Sequence, residues 1–258
     1  SGTGSLIEQI GIKEITAVEL SSSAREELIK KGIDTHTTID ELTTKTSDLI
    51  FGNEILDNIP CSIGLYKDEG WYEKVVLLEE NSLAYGLRPI RNEELDWINK
   101  NNIVPNEDYE FEIQVNIDKF LNSVIKKINP GKILLFDYGY EQKNRDKRMY
   151  SSLLRTYKNH HLSVDPIDDP GNIDITYDVN FSSISSELKY LGYDVTLKLQ
   201  RDFLLDNGFN IFFDELQEKY IAAEGIEKLK INSELNGMKA IVDSNGLGGF
   251  YCLIAEKL

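Results

Sequence analysis

A chain of 258 residues, 41% hydrophobic and 10% aromatic, can bury one sizeable core, or one core with a lobe inserted into it. Its formal charge of −16 repels nucleic acid phosphates and leaves two readings of its acidity: attraction of a basic partner, or plain solubility. The nearest approach to a basic patch, Lys143, Arg145, Lys147 and Arg148, is diluted by Glu141 and Asp146, so nucleic acid is not an expected partner.

No run of about 18 apolar residues offers a membrane span, and Ser1–Ser5 is not a cationic leader followed by an apolar stretch. Cys61 and Cys252 are too few for a disulfide framework and lack zinc-ligand spacing. A reduced, cytoplasmic setting is expected.

The opening Gly2-Thr3-Gly4 is a glycine pair suited to close approach of the backbone to a nucleotide cofactor. Ile15–Glu19 then reads as a short apolar strand ending in a carboxylate, placed to accept both hydroxyls of a ribose. A surface loop followed by a solvated glutamate explains these two features equally well. NAD is disfavoured because the three-glycine pattern is absent. The strand that should enter the glycine turn is not in the sequence, so a missing N-terminal part is expected.

Ser23, with Glu26 three residues later, predicts a capping box opening a helix that ends at Gly32. Leu49–Asn53 and Lys132–Asp137 predict two further parallel strands, short, apolar and ending in polar residues. Between them the pattern changes. Ser62–Tyr66, Tyr72–Glu79 and Ser82–Leu87 predict antiparallel strands, followed by a polar helix around Asn92–Asn101 and an amphipathic one over Ile117–Ile128.

A second insertion, about residues 140–177, is rich in charge and turn residues and too long for an idle connection. Helix Phe181–Leu191, strand Asp194–Gln200, a helix around Asn210–Glu224 and a closing strand pair around Met238–Val242 and Phe250–Ala255 complete the chain. The predicted class is α/β: a Rossmann-like core over residues 1–60 and 130–258, with a substrate-side antiparallel lobe over 61–129.

Three blocks carry a resemblance. Asn53-Glu54-Ile55-Leu56-Asp57-Asn58-Ile59-Pro60, Phe136-Asp137-Tyr138-Gly139, and the run from Leu154-Arg155 through His160, Asp165-Pro166, Pro170-Gly171 and Asp174-Ile175-Thr176 to Val179-Asn180-Phe181 resemble, in order and spacing, the signatures of the MidA family. These are class I S-adenosylmethionine-dependent methyltransferases, among them the mitochondrial complex I assembly factor. The family's alanine and leucine after Asp57 are Asn58 and Ile59 here, and its His-Arg is His160-His161.

The resemblance implies S-adenosylmethionine as cofactor and arginine on a protein as methyl acceptor, with a homodimer as an open possibility. It places Gly2, Gly4, Glu19, Leu20, Asn53 and Glu54 around the cofactor. Glu54, Asp57, Asp137 and His160 are the candidate catalytic residues, with Tyr138 and Arg155 on the substrate side. A guanidinium offers five donors that carboxylates can clamp.

Each position has a plainer reading: Asp57 as a helix first-turn acid, Tyr138 as packing, His160 as a hydrogen bond fixing the second insertion, and Arg155 as an ion pair with Asp165 or Asp174. A metal at His160 and His161 is not expected. Two other functions fit the same blocks, a small-molecule methyltransferase and a non-catalytic scaffold.

Overall fold

The computed structural model describes the chain except residues 1, 3, 13, 44–46, 81, 105–106, 148–153, 159–160, 163–164 and 258. In chain order it runs α1 (Ser5–Ile10), β1 (Thr16–Val18), α2 (Ser22–Lys30), β2 (Asp34–His36) and β3 (Leu49–Asn53). The lobe follows as β4 (Ser62–Lys67), β5 (Gly70–Glu79), β6 (Ser82–Pro89), α3 (Asn92–Lys100), β7 (Tyr109–Ile113) and α4 (Val115–Ile128). Then come β8 (Lys132–Asp137), β9 (Gly139–Tyr140), β10 (Leu154–Lys158), β11 (His161–Leu162), β12 (Asp174–Tyr177), β13 (Val179–Asn180), α5 (Phe181–Tyr190) and β14 (Tyr193–Leu199). Three helices, α6 (Gln200–Asp206), α7 (Phe209–Ala222) and α8 (Gly225–Val242), precede the last strand, β15 (Tyr251–Lys257).

The central sheet has the order β14-β15-β8-β3. β3 and β8 are parallel and β15 runs against both its neighbours, so β14 points the same way as β8. The register puts the carboxyl ends together: Asn53 faces Phe136, while Asp137 faces Tyr251, which faces Leu199. The first predicted strand is present but pairs in parallel with β2, not with the central sheet. It joins the core through Val18, which, like Ile50 of β3, packs against the cluster of Leu42, Val124 and Ile128. Leu135, Leu253 and Ala255 of the sheet bury against Leu121 of α4 and Phe181, Ile184 and Leu188 of α5.

Asp137, Leu199 and the residues after Asn53 lead into the second insertion, the helical segment and the lobe respectively, so all three depart from one edge of the sheet. Ligands of open α/β sheets lie beyond this edge. The lobe is a four-stranded antiparallel sheet, β6-β5-β4-β7, with α3 on one face through Trp97 and Ile98 against Phe111 and Ile113.

Several local expectations change. Ser21, not Ser23, caps α2, its hydroxyl accepting from Ala24 N–H. Met238–Val242 is the last turn and a half of α8, not a strand; a five-residue apolar run has no period that separates the two. β2 and β7 are additional strands, and the second insertion carries a small sheet, β11-β10-β12. No helix among the described residues is long and apolar enough to cross a membrane.

Candidate active site

The glycine pair and Glu19 come together. Gly2 N–H donates to the Glu19 carboxylate at 3.1 Å and Ser21 N–H donates to its other oxygen at 2.9 Å. Gly2 and Gly4 both have left-handed backbones, φ 52° and 79°. At Gly4 a side chain is excluded twice, by that conformation and because a Cβ would lie 2.7 Å from Leu28 Cδ2. Arg25 of α2 braces the segment, its guanidinium donating to the carbonyls of Glu19 and Leu20 at 3.0 and 2.6 Å, while the Leu20 side chain stays exposed. The sequence reading missed Arg25; an arginine one turn into a capped helix that follows an acidic strand end is the available signal. A narrow glycine turn beside an accessible carboxylate fits the adenosyl and ribose parts of a nucleotide-like cofactor.

At the end of β3, Glu54 has φ 48°, a left-handed conformation unusual for a residue with a side chain. It is held there from both sides: its N–H continues the ladder to Phe136 O at 2.9 Å, and Asn58 Nδ2 donates to its carbonyl at 3.2 Å. The turn carries Asn53 and Glu54 outward, both exposed, with Asn53 Nδ2 donating to the Glu54 carboxylate at 3.1 Å.

Asp57 and Asp137 are placed differently. Asp137 has no exposed surface, and its carboxylate accepts from Leu56 N–H at 2.9 Å, Asp57 N–H at 3.3 Å and Tyr138 N–H at 3.0 Å. An acid enclosed in this way shapes the 54–58 turn; it is fully buried, where a substrate-side clamp was expected to be open. Asp57, 3% exposed, is an acid in the first turn of a short 3-10 helix over Leu56–Asn58. It accepts from the Tyr138 hydroxyl and, at 2.7 Å, from Asn58 Nδ2.

Burial, and then the charge of Asp57, push Asp137 up to about 8. Burial also raises Asp57, helped by the charge of Glu54 and opposed by the hydrogen bond from Tyr138. Two adjacent buried carboxyls thus retain a proton near neutrality.

A raised acid favours folding while it is protonated in the folded state. Its contribution is complete below the unfolded value, about 3.9, and is lost as pH rises towards about 8. Urea-unfolding free energy is therefore expected to fall between about pH 5 and pH 8, by about 1.4 kcal/mol for each unit of displacement. Asp57→Asn, which removes one of the two charges, should flatten that fall. An unchanged slope in the variant would show that the pair does not titrate as described.

Tyr138 sits under the Arg155 guanidinium, 4.7 Å from its ring centroid, and against the Phe250 ring at 5.3 Å. Burial and the Asp57 hydrogen bond raise its hydroxyl above the ordinary tyrosine value. Arg155 is buried and pairs with Asp178 at 2.7 Å, not with the expected Asp165 or Asp174. Tyr177, also missed from sequence, donates its hydroxyl to the carbonyls of Leu56 and Ile59, pinning the same turn.

Both residues flank the motif already singled out, in Thr176-Tyr177-Asp178-Val179, where a tyrosine and an acid follow a strand pattern. His160 lies outside the described residues. Burial pushes the thiols of Cys61 and Cys252 up to about 12, so neither is a ready nucleophile.

An open mixed sheet in which β3, β8 and β14 point the same way and β15 runs against them, a glycine turn with a carboxylate, and acids at the carboxyl ends of its strands define a nucleotide-cofactor-binding α/β protein. Residues 8–196 match the family described as "Putative S-adenosyl-L-methionine-dependent methyltransferase", and the chain belongs to that family. The match is the one that the blocks at Asn53, Phe136 and Leu154 lead to expect.

Two solved structures, both COG1565 superfamily proteins of Burkholderia thailandensis, share the fold. One, bound to S-adenosyl-homocysteine and described as a "likely methyl transferase", is 21% identical with a TM-score of 0.78 over 97% of this chain. The other, in native form, is 22% identical with a TM-score of 0.82 over 100% of this chain and 72% of its own. The chain spans 66% of the length of the first. Among curated proteins there is no match.

Proposed function

We propose that the chain transfers a methyl group from S-adenosylmethionine to an arginine of a protein partner. The observation that carries this reading is Glu54, an exposed carboxylate fixed by a left-handed turn at the carboxyl end of β3 and backed by the buried Asp57–Asp137 pair. Bound S-adenosylmethionine supplies a sulfonium methyl and its own leaving group. What remains for the protein is seating, alignment and handling of a proton.

Gly2, Gly4 and Glu19 would seat the adenosyl end and Asn53 would border the methyl. Glu54 would accept two guanidinium donors, orient one nitrogen and take up its proton. Tyr138 and Arg155 wall the turn and keep Asp57 in place. The surplus of carboxylates supports a cationic acceptor over a neutral one.

The test is incubation of the chain with methyl-labelled cofactor and candidate acceptors, followed by mass spectrometry of the labelled species; label on a metabolite instead of arginine would overturn the reading. Glu19→Ala should weaken S-adenosyl-homocysteine binding, measured by calorimetry, about a hundredfold, since hydrogen bonds to a charged acceptor are lost. Affinity unchanged within about twofold would remove Glu19 from the cofactor site.

A further inference from the structure

Strand alternation divides the lobe sheet into two faces. One carries Trp71, Phe111 and Ile113 and is covered by α3. The other carries Tyr72, Lys74, Val76 and Leu78 of β5, Leu83, Tyr85 and Leu87 of β6, and Glu110 and Glu112 of β7. This second face meets the segment that follows Asp137: the Glu112 carboxylate lies 3.5 Å from the Tyr140 hydroxyl and 3.7 Å from Arg145. The Tyr85 hydroxyl donates to Asp165 of the second insertion.

Beyond Lys74, β5 and β6 continue without β4 as a two-stranded ribbon. On the same face Leu78 is 74% exposed, Val76 52%, Leu87 47% and Tyr85 40%. Four large side chains on one side of a short ribbon make an open apolar wall, and such walls mark interaction surfaces. Its rim is negative. Burial and the charges of Asp165, Asp168 and Glu110 raise the Tyr85 hydroxyl, while Lys74, stacked 4.6 Å over the Tyr85 ring, is itself paired with Glu110 at 3.1 Å.

We propose that this face is the docking surface for the methyl-accepting polypeptide, and that the segment it takes is basic and carries large apolar side chains beside the reactive arginine. The inference rests on the methyltransferase reading and adds to it the character of the substrate. Val76, Leu78 and Leu87 receive the apolar side chains, and Asp165 and Asp168 attract the cationic ones. A rim of this sign speeds association and weakens with salt.

Two fluorescent peptides of about twelve residues, each with one central arginine, test this in the presence of S-adenosyl-homocysteine. One is flanked by leucine, tyrosine and lysine, the other by glycine, serine and glutamate. The first should bind at least about tenfold more tightly. The variant Leu78→Asp with Leu87→Asp, changed only at exposed positions, should lose about tenfold in that affinity. Its binding of S-adenosyl-homocysteine and its methylation of a minimal arginine amide should stay at the parent level.

Equal binding of the two peptides, or a variant within about twofold of the parent, would overturn the docking surface. Failure of the parent to methylate any arginine would overturn the proposed activity and leave the peptide measurement to decide the surface.

Discussion

Replacing Gly139 by alanine is expected to destabilise the chain by at least about 3 kcal/mol. A Cβ there would lie 2.0 Å from Val179 O and 2.8 Å from two further backbone atoms of Val179, so no side-chain rotation relieves it. Gly139 and Val179 face each other in the short parallel pair of β9 and β13, and Val179 N–H donates to Tyr138 O at 3.2 Å.

Prising this pair apart would displace both sides of the site at once. On one side stands Tyr138; on the other stand Asp178, which holds Arg155, and Asn180, whose side chain caps α5. Urea unfolding reads the loss directly, and near-ultraviolet circular dichroism of any folded remainder would report the altered packing of Tyr138. A loss under about 1 kcal/mol would mean that the two strands can separate freely, and with it the rigidity ascribed to this edge of the sheet would go.

Glu54→Gln is expected to cut kcat about a hundredfold or more while leaving S-adenosyl-homocysteine affinity within a few-fold of the parent. Glutamine keeps the length and volume of the side chain and cannot accept the guanidinium's proton or neutralise its charge. Because glutamine also has a Cβ, the backbone at φ 48° is no easier or harder to hold, so the comparison isolates charge. The Asn53 contact survives, since the amide oxygen accepts as the carboxylate does. Labelled-methyl transfer at saturating cofactor measures kcat, and thermal unfolding confirms that the variant is folded. Activity within threefold of the parent would remove Glu54 from the reaction.

The sheet strands that build this edge were legible because their signal is local. Leu49–Asn53 and Lys132–Asp137 are short β-branched or apolar runs that stop at polar residues, and both stand as predicted. Gly2 lies beside Glu19, a contact that spacing alone left open, since a surface loop and a solvated glutamate explained the same residues equally well.

Less visible was the difference between acids. Glu54, Asp57 and Asp137 look alike in sequence, yet one is exposed and two are buried. The difference arises from contacts across about eighty residues, Leu56 N–H to Asp137 and Tyr138 to Asp57.

Arg155 found Asp178 because β10 pairs with β12, so its partner depends on a register that no local pattern specifies. In β7, alternation of Tyr109, Phe111 and Ile113 with Glu110 and Glu112 is a plain strand pattern to which the sequence reading gave no element. Glu112 is fully buried there, a placement set by tertiary packing and not by its residue type.

The conformation of Glu54 sets folding against chemistry. Glycine would adopt φ 48° freely, whereas a residue with a Cβ is disfavoured there by roughly 1 kcal/mol. Selection for thermal endurance alone would drive position 54 towards glycine or asparagine and strip the edge of its accessible acid. Thermostabilised versions of this chain obtained without an activity screen are therefore the ones in which to look first for its loss.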